Sequence, residues 1–222
     1  MGEAARRAGR RAEDVTVVAA AKTFGTEAVC ELVQAGGRDI GENYVQEAAA
    51  KARALAGSAG VRWHLIGRLQ RNKARAALGI FDLVHSLDRV DLARALDHVA
   101  SLRGRSARCL VEVNVGDEVT KGGVRPDDLA HFLEALATFP SLSVEGLMSI
   151  PPPVSPAQSR RAFARVRELA ERARDLRLPN VQLKELSMGM SGDFEDAIAE
   201  GATIVRIGTA IFGDRSKRDR RA

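Results

Sequence analysis

Cysteine is nearly missing from this 222-residue sequence, which has only Cys30 and Cys109. Two thiols are too few for a disulfide framework, so a reducing, cytoplasmic setting is expected. Both read as buried thiols rather than nucleophiles. Aromatic residues are 4% of the chain, with one Trp and one Tyr. That scarcity argues against a stacking platform for single-stranded nucleic acid. No apolar run approaches the roughly 18 residues of a membrane span, so no membrane partner is expected. The opening stretch MGEAARRAGRRAEDV carries basic residues but no apolar core, so no secretory leader is expected. HxH and HExxH spacings are also lacking, which disfavours a metal centre.

What is present is ordinary for a globular chain: 45% hydrophobic and 28% charged residues, enough to bury a substantial core. The net charge of +5 is uneven. Arginines cluster at Arg6, Arg7, Arg10 and Arg11, and the tail reads RSKRDRRA. One reading is an arm that adheres to anionic surfaces. The other, preferred because no groove-reading motif accompanies the tail, is a solvated, disordered terminus over 214–222 and no specific nucleic-acid partner.

Short β-like runs alternate with helical patterns along the chain. Strands are expected at 15–21, 38–41, 62–66, 81–85, 108–115, 143–150, 183–187 and 203–207. Helices are expected at 26–35, 44–55, 71–78, 90–102, 126–137, 156–176 and 194–200. This alternation, with no run of consecutive strands, predicts an α/β fold with a parallel sheet flanked by helices. Eight strands suit a (β/α)8 TIM barrel, for which about 250 residues is typical. The alternative is a doubly wound open sheet. The first βα turn, Lys22-Thr-Phe-Gly, lacks the GxGxxG fingerprint that such a sheet would use for phosphate. The expected organisation is a helical segment over 1–14, one barrel over 15–213 and the basic tail.

Active sites of such barrels lie at the C-terminal ends of the strands. Lys22 ends the first, small-residue strand and shares parity with Val18 and Ala20. If that parity faces inward, its amine sits in a partly dry site where it could form an imine with an aldehyde. Alternatively it snorkels to solvent. Arg206-Ile-Gly-Thr209 closes the eighth strand. The arginine is a permanent cation able to bond an acceptor nitrogen or an oxyanion. Gly208 permits close backbone approach, and Thr209 adds an N–H and a hydroxyl. Ser187-Met-Gly-Met-Ser191 supplies hydroxyls on the neighbouring strand. Together these favour the phosphate cradle that barrels build after strands seven and eight. His64 and His85 lie near strand ends, and Tyr44 is a conceivable proton donor or a structural residue.

Seven motifs, AAAKTFG, IGENYVQE, WHLIGRLQRNK, NVGDEVTKGG, GLMSIPP, LSMGMSGDFEDAI and VRIGTAIFG, run in order from about residue 15 to 213. In these the sequence resembles the pyridoxal 5′-phosphate (PLP) homeostasis protein family. The resemblance implies an alanine-racemase-like barrel (PLP fold type III), as a single domain without a C-terminal β-domain. It implies a PLP carrier that maintains intracellular PLP levels rather than an enzyme, with apo-PLP enzymes as recipients. By motif position, Lys22 matches the aldimine lysine and Arg206 the arginine facing the pyridine nitrogen. Ser187, Ser191, Gly208 and Thr209 match phosphate-binding positions, and Asn43 and Met148 match residues beside the cofactor. No residue is assigned a catalytic role. One departure is the start, where residues 1–14 stand in place of a longer first helix. A weak amino-acid racemase or other PLP-dependent enzyme is the alternative function, with Tyr44 or a water supplying a proton. A Schiff-base aldolase without PLP fits the cradle less well. No coiled coil or large apolar patch argues for an oligomer, so a monomer is expected.

Overall fold

The structure, a computed structural model, describes residues 1–116, 122–151 and 155–213. The basic tail, Lys121 and part of the NVGDEVTKGG motif lie outside the described residues.

The eight expected strands are present: β1 Thr16–Ala20, β2 Asp39–Glu42, β3 Arg62–Leu65, β4 Leu83–Leu87, β5 Ala107–Glu112, β6 Leu142–Met148, β7 Val181–Ser187 and β8 Ile204–Ile207. They pair in parallel in sequence order and close into a barrel, β8 against β1. This is the (β/α)8 architecture that the alternation predicts, and the open-sheet alternative falls. The closing seam aligns Thr16 with Ile204, Val18 with Arg206 and Ala19 with Ile207.

Strand side chains alternate in direction, so each strand contributes to two cores. One set fills the barrel interior: Val18, Ala20, Ile66, Leu83, Leu110, Met148 and Ile204 form a cluster of their own. The other faces the surrounding helices, where Ile40, Leu65, Val84, Val111, Leu147 and Val205 are buried. Those helices are α1 Gly2–Arg7, α2 Thr26–Gln34, α3 Val45–Ala54, α4 Ala74–Ala77, α5 Val90–Leu102, α6 Leu129–Leu136, α7 Pro156–Arg174, α8 Phe194–Ala199 and α9 Thr209–Phe212. The α7 start shows why the sequence reads clearly there. Pro156 occupies the first turn, and Ser155 with Gln158 forms a capping box. The apolar face of α7, Phe163, Val166, Leu169 and Ala170, is buried. Helix α1 packs on α8, and Arg10 donates to the carbonyls of Ala202 at 2.6 Å and Ile198 at 3.3 Å. The chain's opening segment is thereby tied to the last βα unit.

The differences from expectation are local. The helix expected over 71–78 is a 3-10 turn, Arg71–Lys73, leading into the single turn of α4. That over 126–137 likewise opens as a 3-10 turn, Pro126–Asp128. Strand β4 starts two residues late because its first partner is His64, opposite Leu83. Strand β5 stops at Glu112, and Asn114 instead donates its N–H to Val124 at 2.9 Å. The four-residue α9 was not expected.

Gly146 sets the β6–β7 register. It pairs with Glu185 beside an irregularity, and a Cβ there would overlap the Glu185 backbone. Backbone cannot move aside as a flexible side chain can. Gly146→Ala is therefore expected to lose about 3 kcal/mol of stability, read as a lower urea midpoint. An unchanged midpoint would mean that the seam yields freely.

Candidate cofactor site

Closure of the barrel gathers the C-terminal strand ends around a cavity of about 510 Å³. That lies within the roughly 300–1,000 Å³ of small-molecule sites. Ala20, Lys22 and Phe24 contribute from the end of β1, and Asn43 from the end of β2. Ile66, Gly67 and Arg68 follow β3, and Glu112 ends β5. Met190, Ser191 and Gly192 follow β7, while Arg206, Gly208 and Thr209 come from β8 and its exit.

Six of the eight expected site residues thus share this cavity: Lys22, Asn43, Ser191, Arg206, Gly208 and Thr209. The other two lie behind its wall. Met148 is buried in the interior cluster, and Ser187 is fully buried beneath Arg206. Ser187 ends β7 with inward parity, so its hydroxyl bonds Arg206 and His85 rather than lining the cavity. Lys22 is an exposed side chain, so the dry surroundings considered for it are not those found. Tyr44 stands outside the cavity lining. It is the N-cap residue of α3 and is 61% exposed.

Arg206 is the opposite case, with 4% exposure. Its guanidinium donates to the Ser187 carbonyl at 2.7 Å, the Ser187 hydroxyl at 2.6 Å and the Ser149 carbonyl at 2.9 Å. Burial brings its pKa down to about 10, with Glu112 and Asp193 pulling it back up. It remains a cation at neutral pH, held from behind by three oxygens with one edge on the cavity.

Sequence reading missed Glu112, the one carboxylate lining the cavity among the described residues. Burial raises its pKa and Asp88 adds to this, while Arg206 and Arg68 oppose. The available signal was an acid at inward parity with Leu110 in an otherwise apolar run. Ser191 Oγ lies 3.3 Å from the Gly208 N–H nitrogen and 3.4 Å from that of Ala210, joining the β7 and β8 exits. No cluster of three or more His, Cys, Asp or Glu among the described residues is placed to hold a metal ion.

The Lys22 segment is pinned from beneath. Lys51 on α3 donates to the Ala21 carbonyl at 3.1 Å and to Glu42 Oε1 at 2.5 Å, all buried. The Ala21 N–H bonds the Gly41 carbonyl at 2.9 Å. Thr23 takes a left-handed φ of 71°, a strained choice for a β-branched residue. Phe24 then stacks on Phe212 of α9, ring centroids 4.7 Å apart. The segment after β1 and the helix after β8 therefore hold each other in place.

This barrel, with a rim lysine, a buried arginine and a small-residue cradle after its last strands, defines an alanine-racemase-type barrel. The family model described as alanine racemase, N-terminal domain, matches residues 3–216. The pyridoxal phosphate homeostasis protein of Aquifex aeolicus is 45% identical over 214 residues, which is 96% of this chain and 92% of that protein. PipY of Synechococcus elongatus, solved with PLP bound, is 38% identical with a TM-score of 0.85, covering 96% of this chain and 99% of that one. The alanine racemase of Clostridium difficile shares the fold at 12% identity and a TM-score of 0.71, with 98% of this chain matching 55% of that one. The chain belongs to the pyridoxal phosphate homeostasis protein family.

The Glu42–Lys51 pair gives a pH-dependent prediction. Burial lifts the Glu42 carboxyl above its ordinary pKa, and Lys51 holds it down. Glu42 Oε2 has no hydrogen-bond partner. Lys51→Met strands a buried carboxylate and is expected to cost about 3–5 kcal/mol near neutral pH. Its carboxyl pKa then rises further above the unfolded value. Such a group loses stability as pH climbs between those two values, so the deficit narrows on acidification. Urea denaturation from neutral to acid pH measures this; a deficit that does not change with pH would mean that Glu42 escapes to water.

Proposed function

We propose that the chain binds PLP at this cavity through a covalent link to Lys22 and serves as a carrier in PLP homeostasis. One observation carries the reading. An amine, a buried guanidinium and a hydroxyl-and-amide cradle share a single cavity of small-molecule size. This donor set fits a ligand with an aldehyde, a ring acceptor nitrogen and a phosphate. The PLP-bound structure of PipY and the names of the curated relatives support the same assignment.

In this reading Lys22 would supply the amine for the covalent link to the aldehyde, with water as the by-product. Ser191, Gly208 and Thr209 hold the phosphate where β7 and β8 exit. Arg206 faces the ring nitrogen, Ser187 acts through it, Met148 underlies the site and Asn43 flanks it. Bound PLP supplies an electron sink. A permanent cation at the ring nitrogen disfavours ring protonation and weakens that sink, which suits holding over turnover. The recipients are apo-PLP enzymes, and the carrier works as a cytoplasmic monomer.

Glu112 supports a second reading, a weak PLP-dependent racemase or related enzyme. A cavity carboxyl whose pKa is raised by burial has the chemistry of a general acid. It takes the place that Tyr44 would have had.

The purified protein should be yellow, and Lys22→Ala should lose most of that colour. After borohydride reduction, intact mass should show one PLP adduct, with peptide mapping placing it at Lys22. An adduct at Lys184 or Lys121 instead would remove Lys22 from its role. On a panel of amino acids, racemisation at about 1 s⁻¹ or faster would replace the carrier with the enzyme.

A further inference from the structure

A chain of hydrogen bonds crosses the barrel interior from floor to mouth. Asp39 Oδ1 lies 2.9 Å from His64 Nε2, and His64 Nδ1 lies 3.0 Å from His85 Nε2. His85 Nδ1 is 2.9 Å from Ser187 Oγ, which is 2.6 Å from Arg206 Nη1. All five residues are buried, and five different strands supply them: β2, β3 and β4 on one side, β7 with β8 on the other. The far end meets a second cavity of about 120 Å³ at the N-terminal strand ends, lined by Asp39 and His64. Arg62, Asp82, Arg108, Glu145 and Glu185 share that floor cavity, and Arg62 bonds Asp39 at 2.6 Å.

We propose that Asp39, His64 and His85 are positioning residues for the cofactor site, setting through Ser187 the bond that orients Arg206. The inference rests on the PLP reading above. The bond directions follow from donor arithmetic. His64 Nε2 faces an ionised carboxylate, so it carries a hydrogen. Burial, His64 and Arg206 push the His85 pKa far down, so His85 is neutral, with one donor and one acceptor nitrogen. With His64 also neutral, its Nδ1 accepts from His85 Nε2–H. His85 Nδ1 then accepts the Ser187 O–H. Ser187 Oγ, having donated, offers its lone pairs to Arg206. A hydroxyl that donates is a stronger acceptor, so each bond reinforces the next.

Adding one proton to His64 reverses the order. His64 Nδ1–H donates to His85 Nε2, and the proton of His85 moves to Nδ1 and donates to Ser187. The Ser187 hydroxyl must then turn elsewhere while still accepting from Arg206. The extra charge stays on His64 beside Asp39, and His85 remains neutral. The charge state of the floor thus reaches the mouth through Ser187 at Arg206.

The test uses the full chain. Nitrogen-15 spectra of the histidine rings in the PLP-free protein should show His85 as a neutral Nε2–H tautomer wherever the His64 ring is neutral. His85→Leu should bind PLP about tenfold more weakly, the cost of loosening a hydrogen bond to a charged group. Asp39→Asn keeps an acceptor for His64 but removes the charge that stabilises its protonated form. It should shift the pH profile of the bound-PLP absorbance to lower pH, which a merely structural role would not do. A Nδ1–H tautomer on His85 beside a neutral His64 ring overturns the proposal. So do wild-type PLP affinity in His85→Leu together with a wild-type pH profile in Asp39→Asn. Should His85→Leu fail to fold, the tautomers and Asp39→Asn decide. If the wild-type protein takes up no PLP, or Lys22→Ala leaves its absorbance unchanged, the cofactor reading fails instead. The ring tautomers then decide the bond order alone.

Discussion

Pairing of β1 with β8 is the constraint on which the site depends. It joins the first strand to the last, with Val18 opposite Arg206 and Ala19 opposite Ile207. Lys22 and the Gly208–Thr209 segment share a cavity only because that seam is made. The Phe24–Phe212 stack and the Ser191 contacts fasten the same corner just beyond the strands. Contacts between the two ends of a chain carry a large loop-closure cost during folding. The site therefore requires the closed barrel and is not completed by any local unit.

Closure also creates the low-dielectric interior in which this barrel keeps its charges. Arg206 is buried with three oxygen acceptors, and Glu42 is buried against Lys51. Neither arrangement is a cheap source of stability, since desolvation offsets most of the Coulomb gain. Each instead fixes geometry. Lys51 bonds the carbonyl just before Lys22, and Ser187 bonds the guanidinium that borders the cavity. Arg206 has its acceptors on neighbouring strand ends, so its side chain is set by the barrel wall itself.

Most of the fold was legible because strand runs and helical periodicity alternate without interruption. The ends of β4 and β5 were not, since pairing with β3 and a bridge to Val124 decide them. Lys22, Arg206, Gly208 and Thr209 were legible as polar or small residues ending apolar strands. Ser187 and Met148 were placed at the cavity by motif; they point inward as the lining residues do but are covered, Ser187 beneath Arg206 and Met148 within the interior cluster. That distinction needs the barrel's register, which no single strand contains. Glu112 carried a visible signal, one acid among inward apolar residues. The His64–His85 contact had none, because the two rings meet only when adjacent strands align. Helix α9 is too short for periodicity to reveal.

The contrast between Lys22 and Arg206 bears on how such a site would be used. A group that recognises must hold its geometry, and Arg206 does so by burial. A group that links reversibly must be reached by water, because hydrolysis of an imine consumes one. Lys22 is exposed at the rim while the carbonyl before it is anchored by buried Lys51. On the carrier reading, this division separates affinity from exchange. The buried cation and the cradle set how tightly PLP is held, and the open rim sets how readily the link forms and breaks. A site that buried its lysine would gain a drier, more nucleophilic amine but would hinder the hydrolysis that hands the cofactor on.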